Sequence, residues 1–203
     1  NTDDWYGGSC WQYRKKLTLN AGLVEADQTD FPVLISFTGD GDLAAGAQSD
    51  FDDVFFTSAN GTTKLSHEIE AYNSTNGDLV AWVKIPSLSS STDTEIYMYY
   101  GDSGVTCSPE NPPGVWDSDY RAVWHLHDDF NDSTSNNNEG TGKGTSNETG
   151  KIADAESVDG SDDYISVADN SSLDVTSGLT MEAWVRLSNA GNNQKSVGKV
   201  NST

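Results

Sequence analysis

The chain has 203 residues, 34% of them hydrophobic and 10% aromatic, which is enough for two small domains or one larger one. Asp and Glu number 32 against 11 Lys and Arg, a net charge of −21 that repels nucleic-acid phosphates and anionic membranes. No apolar run is long enough to span a bilayer, so nucleic acid and membrane insertion within this chain are both set aside. There is no signal peptide and no initiator Met, so Asn1 reads as a processed start, and the composition fits a very soluble extracellular surface.

Trp5 and Tyr6, flanked by Asp4 and Gly7, precede the first predicted strand. With Trp11 they form either a platform for stacking on a glycan ring or an edge that packs on a neighbouring domain or subunit. Period-two alternation then predicts a strand at Tyr13–Leu19 (YRKKLTL). Residues 31–37 (FPVLISF) are nearly all apolar, as in a strand covered on both sides. Further strands are predicted at 53–58 (DVFFTS), 64–72 (KLSHEIEAY), 79–86 (LVAWVKIP) and 95–100 (EIYMYY). The turn compositions NGTT, NSTNGD and SLSSSTDT separate them, and no segment sustains a helical period. Six strands in this span predict an antiparallel β-sandwich over 1–108.

The two cysteines, Cys10 and Cys107, bracket these strands. A disulfide between them would clamp the ends of one domain, is worth about 4–5 kcal/mol in the chain-entropy model, and points to an oxidising compartment. Six N-x-Ser/Thr sequons, at Asn60, Asn73, Asn131, Asn147, Asn170 and Asn201, fall in or beside predicted turns and are candidate glycosylation sites. Pro109, Pro112 and Pro113 mark 109–117 as a short, semi-rigid linker.

The ordered motifs W-x-Y-R-K (11–15), F-P-V-L (31–34), D-V-F-F-T (53–57), L-S-H-E-I-E (65–70), W-V-K-I-P (82–86) and Y-Y-G (99–101) resemble a family of uncharacterised extracellular β-domains. That family occurs in bacterial and archaeal surface proteins and in proton-channel proteins of the TolQ/ExbB type. The resemblance implies no enzymatic activity, and the cysteine pair is not part of its pattern. It also implies a laminin-G-like domain downstream. Residues 121–140 (RAVWHLHDDFNDSTSNNNEG) are similar to the opening strand and polar loop of such a jelly roll. Tyr164–Val167 and 179–187 (LTMEAWVRL) match later strands, and 195–200 the start of another. Residues 118–203 are thus expected to be a partial laminin-G/concanavalin-A-like jelly roll, about half of what closes that fold. Either further residues or a strand from a neighbouring copy is expected to complete it, and a head-to-tail exchange would build a fibre.

Candidate chemistry is sparse. His125 and His127 stand at i and i+2 in HLHDD, and on a strand both imidazoles could reach one transition metal. The jelly-roll resemblance instead implies that Trp124 and Leu126 face the core while the histidines face solvent or the domain junction. Asp128, Asp129, Asn131 and Asp132 in one turn, and Asp159, Asp162 and Asp163 in another, offer hard oxygen ligands suited to Ca²⁺. The same residue types also make turns by bonding their own backbone. Glu68 and Glu70 share a strand face about 6–7 Å apart. That spacing suits paired carboxylates in glycoside hydrolysis, or an exposed edge paired with Arg14 or Lys16. No nucleophile motif or phosphate loop is present, and neither cysteine reads as reactive.

The expectation is therefore an all-β, non-enzymatic, secreted or cell-surface module with a structural or adhesive role, whose partners are copies of itself, other surface proteins or glycans. The alternatives are a carbohydrate-binding accessory module of a larger secreted enzyme and the periplasmic sensor domain of a TolQ/ExbB-type protein.

Overall fold

In a computed structural model, residues 11–187 and 197–199 are described. The chain divides into two compact units, Asn1–Leu173 and Asp174–Thr203. Among the described residues no helix is long and apolar enough to cross a membrane.

The first unit contains seven strands that the sequence pattern anticipates closely. They are β1 (Tyr13–Leu19), β2 (Gln28–Phe37), β3 (Phe55–Ser58), β4 (Lys64–Leu65), β5 (His67–Asn73), β6 (Asp78–Leu88) and β7 (Thr94–Tyr100). They form two antiparallel sheets, ordered β1-β7-β3-β4 and β2-β6-β5. Alternation explains the core. On β6, Leu79, Ala81, Val83 and Ile85 are fully buried, while Val80, Trp82 and Lys84 point the other way. Phe56, Ile96, Met98 and Leu65 close the core from the opposite sheet, and Ile35 of β2 and Val54, just before β3, complete it. A short helix, α1 (Gly41–Gly46), adds Leu43 to that core, and the Asp40 carboxylate caps it by accepting from the backbone N–H of Asp42 and Leu43. At six residues it is too short to show a helical period.

Two details differ from expectation. The predicted strand 64–72 is two strands: Leu65 ends β4 in one sheet and His67 begins β5 in the other, so Ser66 is the corner between them. Strand β2 is not covered on both sides; it is an edge strand, with Phe31 42% exposed. An edge also tolerates Pro32, which has no N–H to donate.

Residues 109–117 are tied to the sandwich rather than spanning free solvent. The Asn111 N–H donates to His67 O at 2.9 Å, and Glu110 Oε2 accepts from the Ile69 N–H at 2.6 Å. Both bonds occupy the free edge of β5. The short helix α2 (Pro112–Val115) follows, with Val115 and Trp116 buried.

Two ribbons complete the unit. β8 (Gly140–Lys143) pairs with β11 (Tyr164–Val167), and β9 (Ser146–Thr149) with β10 (Asp154–Ser157). The predicted strand at Tyr164–Val167 is present, but the one within 121–140 is not. Leu126 (φ 59°) and Asp128 (φ 60°) take left-handed backbone that a strand excludes. Side chains also satisfy the segment's backbone: Val123 N–H donates to Asp132 Oδ1 at 3.0 Å. In the second unit, residues 179–187 form no strand. A lone alternating segment lacks a ladder partner among the described residues, and Leu179, Met181, Trp184, Val185 and Leu187 are all more than half exposed. Of the predicted strand 195–200, residues 195, 196 and 200 lie outside the described residues.

Candidate functional site

Strand β5 carries a bulge between Ile69 and Ala71, so Glu70 has no opposite residue on β6. The extra residue shifts the strand's phase. Ile69 and Tyr72 pack against the core, while Glu68 and Glu70 point away from it, beside Trp82 of β6. This outer face is not exposed: Glu68 and Glu70 are both buried. The Pro-rich segment brings Trp116 over it, and the loop that follows inserts His125.

His125 is clamped between the two carboxylates. Its Nε2 lies 3.1 Å from Glu68 Oε2 and its Nδ1 lies 3.2 Å from Glu70 Oε2. Trp116 Nε1–H donates to Glu68 Oε2 at 2.7 Å, Ser133 Oγ–H to Glu68 Oε1 at 2.5 Å, and Trp82 Nε1–H to Glu70 Oε2 at 2.7 Å. The rings of Trp82 and Trp116 stand 6.0 and 5.9 Å from the imidazole and wall it in, and Tyr120 packs edge-on to Trp116.

Burial alone would drive His125 toward neutrality, but the hydrogen bonds and charges of Glu68 and Glu70 outweigh it and push the imidazole up to about 9. Burial likewise works against the Glu68 carboxylate. The bonds from His125, Ser133 and Trp116 still hold it below its ordinary value. His67, one residue along β5, is the reverse case. It sits in the core edge-on to Phe56, and burial lowers it to about 4. The site is therefore an imidazolium held by two carboxylates and walled in by two indoles, a closed ionic clasp.

The chemistry expected of these residues changes accordingly. Glu68 and Glu70 are neither exposed nor paired with Arg14 or Lys16. Arg14 lies over Tyr97, and Lys16 pairs with Glu95. The histidines do not face solvent together or reach one ion, because His125 turns to the glutamates while His127 Nδ1 approaches Asp154 Oδ2 at 3.1 Å. The first acidic turn does not gather its four oxygen donors. Asp132 is buried and accepts from the N–H of Val123, Thr134 and Asn138 and from Thr134 Oγ1, while Asp129 bonds Asn131. The second turn does converge: one oxygen each of Asp159, Asp162 and Asp163 lies within 4.8 Å of the others.

Trp5, Tyr6, Cys10 and Asn201 lie outside the described residues. Trp11 is half-buried and packs on Phe55 with centroids 4.5 Å apart, an edge contact rather than an open platform. Cys107 is exposed and carries no disulfide among the described residues. Asn60, Asn73, Asn131 and Asn147 are exposed and Asn170 is half-exposed. Sequence reasoning missed Trp82, Trp116 and Ser133. The available signal was that a buried indole N–H needs an acceptor, although Glu70 lies 12 residues from Trp82 and Glu68 lies 48 from Trp116.

A family model described as "Domain of unknown function (DUF2341)" matches residues 50–143. No curated protein and no solved structure matches the chain. The matched range runs through the Pro-rich segment into β8, so it takes in both sides of the clasp: Glu68, Glu70 and Trp82 from the sandwich, and Trp116, His125 and Ser133 from the segment that covers it.

Proposed function

We propose that this chain is a non-catalytic structural or adhesive module of a secreted or cell-surface assembly, with a laminin-G-like part following the sandwich. The observation that carries the reading is the closed clasp. The glutamate pair whose spacing suits glycoside chemistry is spent on His125, two indoles and a serine hydroxyl. Groups used this way fix two chain segments together and leave no base for a substrate. The net charge of −21 and the exposed Asn side chains in turns support an extracellular setting. The exposed Leu179, Met181 and Trp184 support contact with a neighbouring copy or another surface protein.

Two measurements on the full chain test this. Sedimentation across a range of concentrations should show self-association that Trp184→Asp weakens. A panel of glycosides should show no turnover. Turnover that Glu68→Gln or Glu70→Gln abolishes would make the clasp an active site and overturn the reading.

A further inference from the structure

Three buried side-chain atoms have no hydrogen-bond partner among the described residues: His67 Nε2, His127 Nδ1 and Glu156 Oε2. The first belongs to a neutral histidine in the core. The other two occur in one region. Asp154 and Glu156 sit two apart on β10 and so share a strand face, and His127 reaches Asp154. A buried polar atom left unpaired costs roughly 1–3 kcal/mol, and such atoms are few in folded proteins.

His127, Asp128 and Asp154 each place one ligand atom within 4.8 Å of the other two. His127 Nδ1 and Asp154 Oδ2 are 3.1 Å apart, close enough for an ion pair but not aligned as a hydrogen bond. Coordination offers a different account of that spacing. Zn²⁺ holds a histidine nitrogen and a carboxylate oxygen at about 2.0–2.1 Å each, which at the tetrahedral angle puts the two ligand atoms roughly 3.3 Å apart. Asp128 Oδ2 lies 3.9 Å from the ring's Nε2, and Asn147 Nδ2 donates to Asp128 Oδ1 and holds the carboxylate beside the ring. Both neighbours of His127 take left-handed backbone, and the bend turns its ring away from His125.

We propose that His127, Asp128 and Asp154 bind one divalent transition-metal ion, with Zn²⁺ preferred to Ca²⁺. An imidazole nitrogen with two carboxylates is a borderline donor set that suits zinc, whereas Ca²⁺ takes six or more oxygens. Water fills the remaining coordination positions. The ion gives a nitrogen that makes no hydrogen bond a coordinate bond, and offsets the negative charge of Asp128, Asp154 and Glu156. It ties the loop before β8 to the start of β10. This site is independent of the structural or adhesive reading and would stand if that reading failed.

The test is calorimetric titration of the full chain, stripped with chelator, with Zn²⁺ and then with Ca²⁺. One Zn²⁺ per chain is expected, bound about tenfold or more tightly than Ca²⁺, and His127→Gln and Asp154→Asn should each weaken it by about tenfold or more. Asp159→Asn, in the separate acidic turn, should leave it unchanged. The His127 imidazole resonances should move on titration with Zn²⁺, a readout that survives if one variant fails to fold. The absence of saturable Zn²⁺ binding, affinity indifferent to both substitutions, or Ca²⁺ binding as tight as Zn²⁺ would each overturn the proposal.

Discussion

His67 and His125 lie in opposite environments, and pH separates them. Between about 4 and 6.5 the unfolded chain carries a proton on His67 that the folded chain refuses, so stability rises with pH. Between 6.5 and about 9 the folded chain keeps a proton on His125 that the unfolded chain has lost, so stability falls with pH. Each limb is worth about 3 kcal/mol. Urea melts from pH 4 to 10 in metal-free buffer should therefore peak near 6.5, and His125→Gln should flatten the alkaline limb while sparing the acid one. A peak above pH 9 would contradict the assignment. Glu68→Gln removes the charge that holds the imidazolium and should cost roughly 3–5 kcal/mol, as breaking a buried pair does. In that variant the His125 resonances should titrate well below their wild-type midpoint. That Glu68 and Glu70 share a face was legible from their spacing. Their partner was not, because His125 stands 57 residues beyond Glu68 in a loop whose shape no periodicity encodes.

Alternation located the strands well because each has one face in the core. It failed where backbone is satisfied by side chains instead of a ladder. Residues 121–140 alternate convincingly in places, yet Asp132 ties them into a loop through bonds to the backbone of Val123, Thr134 and Asn138. The division of 64–72 into two strands was hidden for a related reason: a corner such as Ser66 leaves the period intact while the sheet changes. The β5–β6 turn gives a sharper test. Gly77 takes φ 74°, and a Cβ there would lie 1.9 Å from the backbone oxygen of Asp40, at the cap of α1. Left-handed backbone alone costs an alanine roughly 1–2 kcal/mol, and the neighbouring atom is main chain, which moves little. Gly77→Ala should thus destabilise by about 3 kcal/mol or more, read from chemical denaturation.

At the scale of the whole molecule, the alternating segments made the all-β fold class legible. The Pro-rich stretch at 109–117, which reads as a linker, bonds the free edge of β5 through Asn111 and Glu110. Prolines that rule out helix and ladder make a segment look like a spacer, but they do not stop its neighbours from bonding to an edge. The clasp then decides where this polypeptide can be cut. A chain ending at residue 108 would keep all seven strands of the sandwich while stripping Trp116 and His125 from the outer face of β5 and β6, leaving Trp82 bare, Glu68 without its Trp116, Ser133 and His125 partners, and Glu70 with Trp82 but without His125. A chain carried on to residue 143 would retain its cover. The shorter piece should melt lower, by roughly 2 kcal/mol for each uncovered or missing indole, and should bind a hydrophobic dye that the longer one ignores. The unit that folds as a whole is therefore longer than its two sheets.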